Sequence, residues 1–241
     1  FVLLYFIRHG DPIYNPDSLT EKGKIQAEAL SNRLVKSKID RIYCSSSNRA
    51  IQTAEPTAKK LGKEIKILDW CHENYAAADF GIIENGKWKW IFQSEECLKK
   101  FFDNDMSKRG FEWYESQVLN NEERQRYKSG IKRIQMHTYE LLKELGYEHN
   151  DNGHCYTAVN PNDMRVALFA HDGFSKAFMS AVLDIPYPYL VKFEHNHTGM
   201  TVIEFFSYAD GTAFARVLQY SNDSHLYKEN LKTEYNNRIL I

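Results

Sequence analysis

Two short stretches are apolar at every position, Val2-Leu-Leu-Tyr-Phe-Ile7 and Val166-Ala-Leu-Phe-Ala170. A strand with one wet face alternates apolar and polar residues. An unbroken apolar run instead suits a strand buried on both faces, as in a parallel sheet covered by helices. Arg41-Ile-Tyr-Cys44 is a third strand candidate. Between the first and third, Ile25, Ala29, Leu30 and Leu34 recur at helical spacing, which predicts a helix over Thr20 to Val35. Thr20 is its candidate N-cap, its hydroxyl satisfying a free backbone N–H. A second helix is predicted from Asn48 to Leu61, ending at Gly62. Pro56 is expected to kink or interrupt it, because proline removes a backbone donor. Ile65 to Leu68 then reads as another strand. This β-α-β-α-β order implies parallel strands joined by right-handed crossovers.

From about Glu84 to Tyr147 the pattern turns helical, with a long stretch from Glu122 to Leu145 and three tryptophans, Trp88, Trp90 and Trp113. Strand–helix alternation resumes at Val166, and two more apolar strands are expected near Met200–Phe206 and Ala213–Leu218. The expected fold is α/β: a three-layer sandwich with a mostly parallel central sheet flanked by helices. It forms a single domain over 1–241, with a helical insertion at about 84–160 between sheet strands.

A chain of 241 residues, 43% hydrophobic and 26% charged, can bury a core without disulfide or metal staples. Its net charge of −1 lacks the basic stripe of a sequence-independent nucleic-acid binder. Cys44, Cys71, Cys97 and Cys155 are far apart with no CxxC, which suits reduced thiols in the cytoplasm. No apolar run approaches the ~20 residues of a membrane helix, and the positive charge follows the first apolar run, the reverse of a secretory signal. No nucleic acid or membrane partner is expected, and a homo-oligomer is compatible with the sequence.

In open parallel sheets, ligands bind beyond the carboxyl ends of the strands. After the first strand come Arg8-His9-Gly10; after the third, Ser45 to Arg49-Ala50; after Ala170, His171-Asp172-Gly173. Each alone would be ordinary, but together they deliver two histidines and two arginines to one rim. Arginine forks match the paired oxygens of phosphate, and helix N-termini add positive potential. The residues therefore point to a phosphate pocket with two histidines.

The chain resembles the histidine phosphatase superfamily, also called phosphoglycerate mutase-like. The family's opening block matches Arg8-His9-Gly10, Asn15 and Leu19-Thr20-Glu21-Lys22-Gly23-Lys24-Ile25-Gln26-Ala27. Its second block matches Ser45 through Arg49-Ala50-Ile51-Gln52-Thr53-Ala54, its third Cys71-His72-Glu73 and its fourth Ala170-His171. The blocks stand in the family's order, and no motif covers Asn85–Pro161. The chain departs from the pattern at Pro12, where Ser or Thr is usual, and at Asp172, where Gly is common.

The resemblance implies a phosphatase that hydrolyses a small phosphomonoester without metal or other cofactor. His9 would attack phosphorus and form a covalent intermediate, with its other ring nitrogen fixed by an acceptor such as a backbone carbonyl. Arg8, Arg49 and His171 would bind the equatorial oxygens and Asn15 would add a donor. Glu73 would be the general acid and base, with Glu84 and Asp79 as rivals. The loop Asn74–Ala78 looks like an insertion beside the acid.

Two alternatives stay open. A phosphoglycerate mutase shares the nucleophile but inserts residues, including a Gly-Trp pair, between its Asn and Leu-Thr; here Asn15 runs through Pro16-Asp17-Ser18 to Leu19. A catalytically silent phospho-ligand binder would lack a catalytic side chain, and none is missing. A phosphopeptide substrate is not excluded. His195-x-His197, if on a strand, would offer two metal ligands, though a polar loop suits the stretch better. The aromatics Trp88, Trp90, Phe92, Phe101, Phe102, Trp113 and Tyr114 either line a substrate pocket or bury the insertion.

Overall fold

The computed structural model describes residues 1–151 and 153–233. In chain order its main elements are β1 (Val2–Arg8), β2 (Pro12–Tyr14), β3 (Asp17–Leu19), α1 (Glu21–Leu34), β4 (Arg41–Cys44), α2 (Asn48–Leu61) and β5 (Ile65–Ile67). Next come α3 (Glu73–Phe80), β6 (Gly81–Glu84), β7 (Lys87–Trp90), α4 (Glu95–Phe101), α5 (Asn104–Lys108) and α6 (Asn121–Glu144). The remainder is β8 (Tyr147–Asn150), β9 (Cys155–Ala158), β10 (Arg165–Ala170), α7 (Asp172–Leu183), α8 (Tyr187–Leu190), β11 (Met200–Ser207), β12 (Thr212–Asn222) and α9 (Ser224–Lys228). These residues form two compact units. One comprises the described residues of Phe1–His72, of Leu142–Asp172 and from Glu194 onward; the other comprises Glu73–Leu141 and Gly173–Phe193.

The first unit holds an eight-stranded sheet, among the described residues, in the order β5-β4-β10-β1-β11-β12-β9-β8. β5, β4, β10 and β1 are parallel, while β11, β12, β9 and β8 continue the sheet antiparallel. The apolar runs of β1 and β10 are buried on both faces. Tyr5, Ile7, Ala167, Phe169, Ile42 and Cys44 face a cluster completed by Leu30 and Leu34 of α1 and Ala50, Ala54 and Ala58 of α2. On the other face Leu4, Phe6 and Leu168 are fully buried.

Thr20 caps α1 as its sequence suggests, its side chain accepting from the Gly23 amide. α2 ends at Gly62 in the left-handed conformation, φ 63°. Of the two expected outcomes at Pro56, a kink or an interruption, the interruption does not occur: α2 runs through it. It forfeits one helical hydrogen bond, but the small Ala50–Ala54–Ala58 stripe still packs against the sheet, and packing of such a face supplies most helical stability in proteins.

The stretch expected as an insertion at 84–160 is neither continuous nor wholly helical. Its last part supplies β8 and β9 to the sheet, strands of four residues each, of which β8 is mostly polar and β9 too short for its apolar residues to stand out. The second unit starts earlier, at Glu73, and takes in Gly173–Phe193. It contains the β6–β7 hairpin as well as helices. Its core is aromatic: the Tyr187 ring stacks on Phe80 at 4.9 Å and on Trp113 at 5.3 Å, with Phe101 edge-on to Trp113 at 5.4 Å. Trp113, Phe101, Tyr114 and Phe92 are thus core residues, whereas Trp88 and Phe102 are exposed. Residues Asn74–Ala78, expected as a loop, lie in α3.

Candidate active site

The register of the parallel strands brings the motif residues together. Arg8 pairs with Ala170 across β1–β10, and Phe169 with Cys44 across β10–β4. The chain therefore leaves three adjacent strands at the same level, and these exits are tied: the His9 amide donates to the Ala170 carbonyl at 3.0 Å and the Ser45 amide to the Phe169 carbonyl at 2.9 Å. Arg8, His9, Arg49 and His171 all come from the first unit and all are buried. The His9 and His171 ring centroids are 5.2 Å apart.

Hydrogen bonding fixes both imidazoles. His9 Nδ1 lies 2.7 Å from the Gly10 carbonyl oxygen, which can only accept. Nδ1 therefore carries the hydrogen, and Nε2 of the neutral ring keeps its lone pair. His171 is fixed in the opposite tautomer. Arg49 Nη2, which can only donate, lies 3.2 Å from His171 Nδ1, so Nε2–H donates to Ser45 Oγ at 2.8 Å. Burial, then Arg8 and Arg49, hold His9 well below the usual imidazole pKa. Burial, then His9 and Arg49, do the same to His171. Two permanent guanidinium charges thus stand beside two neutral imidazoles, an arrangement suited to an anion.

Each arginine has its own anchor. Arg8 Nη1 donates to the His195 carbonyl at 2.6 Å, and the His195 amide in turn donates to Asp172 at 3.0 Å. Arg49 Nη1 donates to Asp17 at 2.7 Å. The His195–His197 stretch is not a strand but a loop, and the His195 ring is engaged by Thr201 and Tyr220.

The other motif residues set the loop after β1. A Cβ on Gly10 would lie 2.7 Å from the Gly23 carbonyl oxygen, and one on Gly23 would lie 2.3 Å from that of Asp11, so the two backbones touch. The Thr53 hydroxyl accepts from the Gly10 amide at 3.0 Å, Gln26 from the Asp11 amide at 2.8 Å and Gln52 from the Leu19 amide at 2.7 Å.

The other two expected residues, Asn15 and Glu73, are not buried. Asn15 is exposed, at the turn between β2 and β3. Glu73 opens α3 in the second unit, where its carboxylate accepts from the Gly173 amide at 2.9 Å. Its rivals are already paired. Asp79 bridges to Arg133 at 2.6 Å. Glu84 is held by Lys89 and Ser94, whose hydrogen bonds keep its carboxyl below the usual carboxylate range. Asp17 and the His195 carbonyl were not identifiable as anchors from sequence, because each contact joins distant segments.

The model of the histidine phosphatase superfamily (branch 1) matches residues 4–141. The chain belongs to this superfamily. Solved structures of the same fold include a phosphoserine phosphatase from Entamoeba histolytica, 20% identical, covering 94% of this chain and 100% of its own, with a TM-score of 0.57. A mycobacterial glucosyl-3-phosphoglycerate phosphatase is 18% identical, covering 92% of this chain and 98% of its own, also at 0.57. No curated protein sequence matched. In this histidine phosphatase chain none of the four cysteines is in a disulfide, and three of them are buried. No helix among the described residues is long and apolar enough to cross a membrane.

Proposed function

We propose that the chain hydrolyses a small phosphomonoester through a phosphohistidine on His9, without a metal. The observation that carries this reading is the His9 Nδ1–Gly10 bond, which leaves Nε2 as the nucleophilic atom beside two guanidinium groups. In the first step the Nε2 lone pair forms a bond to phosphorus while the ester P–O bond breaks, and Glu73, as the acid, gives its proton to the leaving oxygen. In the second step Glu73, now a carboxylate, takes a proton from water; the water oxygen bonds to phosphorus, and the N–P bond breaks to release phosphate. Arg8, Arg49 and His171 stabilise the equatorial oxygens in both steps. A phosphoryl dianion there reverses the local field, which favours protonated His171.

The engagement of Glu84 by Lys89 and of Asp79 by Arg133 supports Glu73 as the acid. Asn15 would contribute a donor from the hairpin turn. The phosphatases named among the structural relatives support a small phosphorylated metabolite as substrate, and four cysteines outside any disulfide suit a reducing, cytoplasmic setting.

Hydrolysis of p-nitrophenyl phosphate in the presence of EDTA tests this reading. Wild-type turnover should survive the chelator and fall about a thousandfold or more in folded His9→Ala, since the nucleophile is lost. Turnover that needs added metal, or that His9→Ala retains, would reject it.

A further inference from the structure

We propose that Asp17 is the positioning residue for Arg49, an inference that rests on the phosphatase reading above. Asp17 and Tyr14 are the cross-strand pair that closes the β2–β3 hairpin. Asp17 Oδ1 accepts from Arg49 Nη1 at 2.7 Å. Its Oδ2 accepts from the Asn48 backbone amide at 2.7 Å, the first residue of α2, and its carbonyl accepts from Asn48 Nδ2 at 2.7 Å. The Tyr14 ring lies 5.4 Å from the Arg49 guanidinium carbon. One residue thus fastens the hairpin to Asn48 by two hydrogen bonds and grips the neighbouring arginine with its charge.

This grip matters because the Arg49 guanidinium is held from two sides, by Asp17 at Nη1 and by His171 at Nη2. A guanidinium on a long side chain stabilises a developing charge only when its orientation is set beforehand. Asp17 sets it. A carboxylate repels a phosphoryl dianion, so Asp17 acts through the arginine and not on the substrate. Removing it takes away the Nη1 anchor and loosens the guanidinium's orientation without removing positive charge from the site. The loss should therefore fall on kcat more than on KM.

A capping role alone would give a different pattern, and a double-mutant cycle separates the two. Wild type, Asp17→Ala, Arg49→Gln and the double variant are compared on p-nitrophenyl phosphate, with thermal midpoints confirming folding. Asn48→Ala serves as a control that removes one hairpin–helix bond but leaves the Asp17–Arg49 pair. Asp17→Ala should lower kcat about tenfold to a hundredfold, yet less than about twofold in the Arg49→Gln background. Asn48→Ala should stay within about twofold of wild type, as a surface bond far smaller in effect would. The inference fails if Asp17→Ala is silent, costs the same factor in both backgrounds, or is matched by Asn48→Ala. Should the wild type turn nothing over, the phosphatase reading is what has failed. The same cycle is then read from the Kd of inorganic phosphate, where the change caused by Asp17→Ala must vanish without Arg49; a persistent change, or none, overturns the inference.

Discussion

His9 Nδ1 is committed to a carbonyl 2.7 Å away, and that single bond sets which nitrogen would attack in the proposed reaction. The proposed attack would also need a proton for the leaving oxygen, which Glu73 at the start of α3 would supply. Glu73→Gln should slow hydrolysis of alkyl phosphates about a hundredfold or more, because their leaving groups need general acid catalysis, and activated aryl phosphates far less. Rates across a leaving-group series check this; the same selectivity in Glu84→Gln would transfer the role. Arg8, His9, Arg49 and His171 were legible in the sequence because each follows an apolar strand and parallel strands end at one rim. Asp17 was not. Its value lies in a contact to Arg49 from a distant segment, which no local pattern encodes.

The loop after β1 depends on two glycines in contact. With Gly23 inside the first turn of α1, an added Cβ would lie 2.3 Å from the Asp11 carbonyl oxygen, a backbone atom that cannot swing aside. Gly23→Ala should therefore displace the Gly10–Asp11 segment, costing about 2–4 kcal/mol of stability by overpacking and backbone strain and most of the turnover. Denaturant unfolding and a p-nitrophenyl phosphate assay check both; wild-type values would show that the two backbones are not in contact. The bounds of α1 and α2 followed from apolar spacing, the Thr20 cap and Gly62. Pro56 misled because local propensity counts a lost donor but not the packing that compensates for it. β8 and β9 stayed hidden because they join the sheet by backbone pairing over four residues each, β8 mostly polar and β9 too short to show a pattern.

At the scale of the whole molecule, the first unit keeps several histidines uncharged by burying them. His9 and His171 lie well below 6.5, while burial, then Arg8, takes His197 down to about 3 and burial, then Arg33, takes His225 to about 3. In the unfolded chain these groups take up protons near their ordinary pKa of 6.5, which the folded protein does not. Stability is therefore full above that value and falls as pH drops towards 3, by up to about 1.4 kcal/mol per pH unit for each histidine. The urea midpoint should decline between about pH 7.5 and pH 5, in the range where only the unfolded histidines gain protons. A flat midpoint would mean that these rings are charged or wet in the folded state. The same buried, unprotonated ring is what a phosphohistidine mechanism requires. The most direct test is to mix enzyme with excess phosphomonoester, quench in alkali, where phosphohistidine survives, and map the modified peptide by mass spectrometry. A phosphoryl group on His9, absent from His9→Ala, is the expected result; steady turnover with no phosphorylated enzyme, or with the group on another residue, would contradict it.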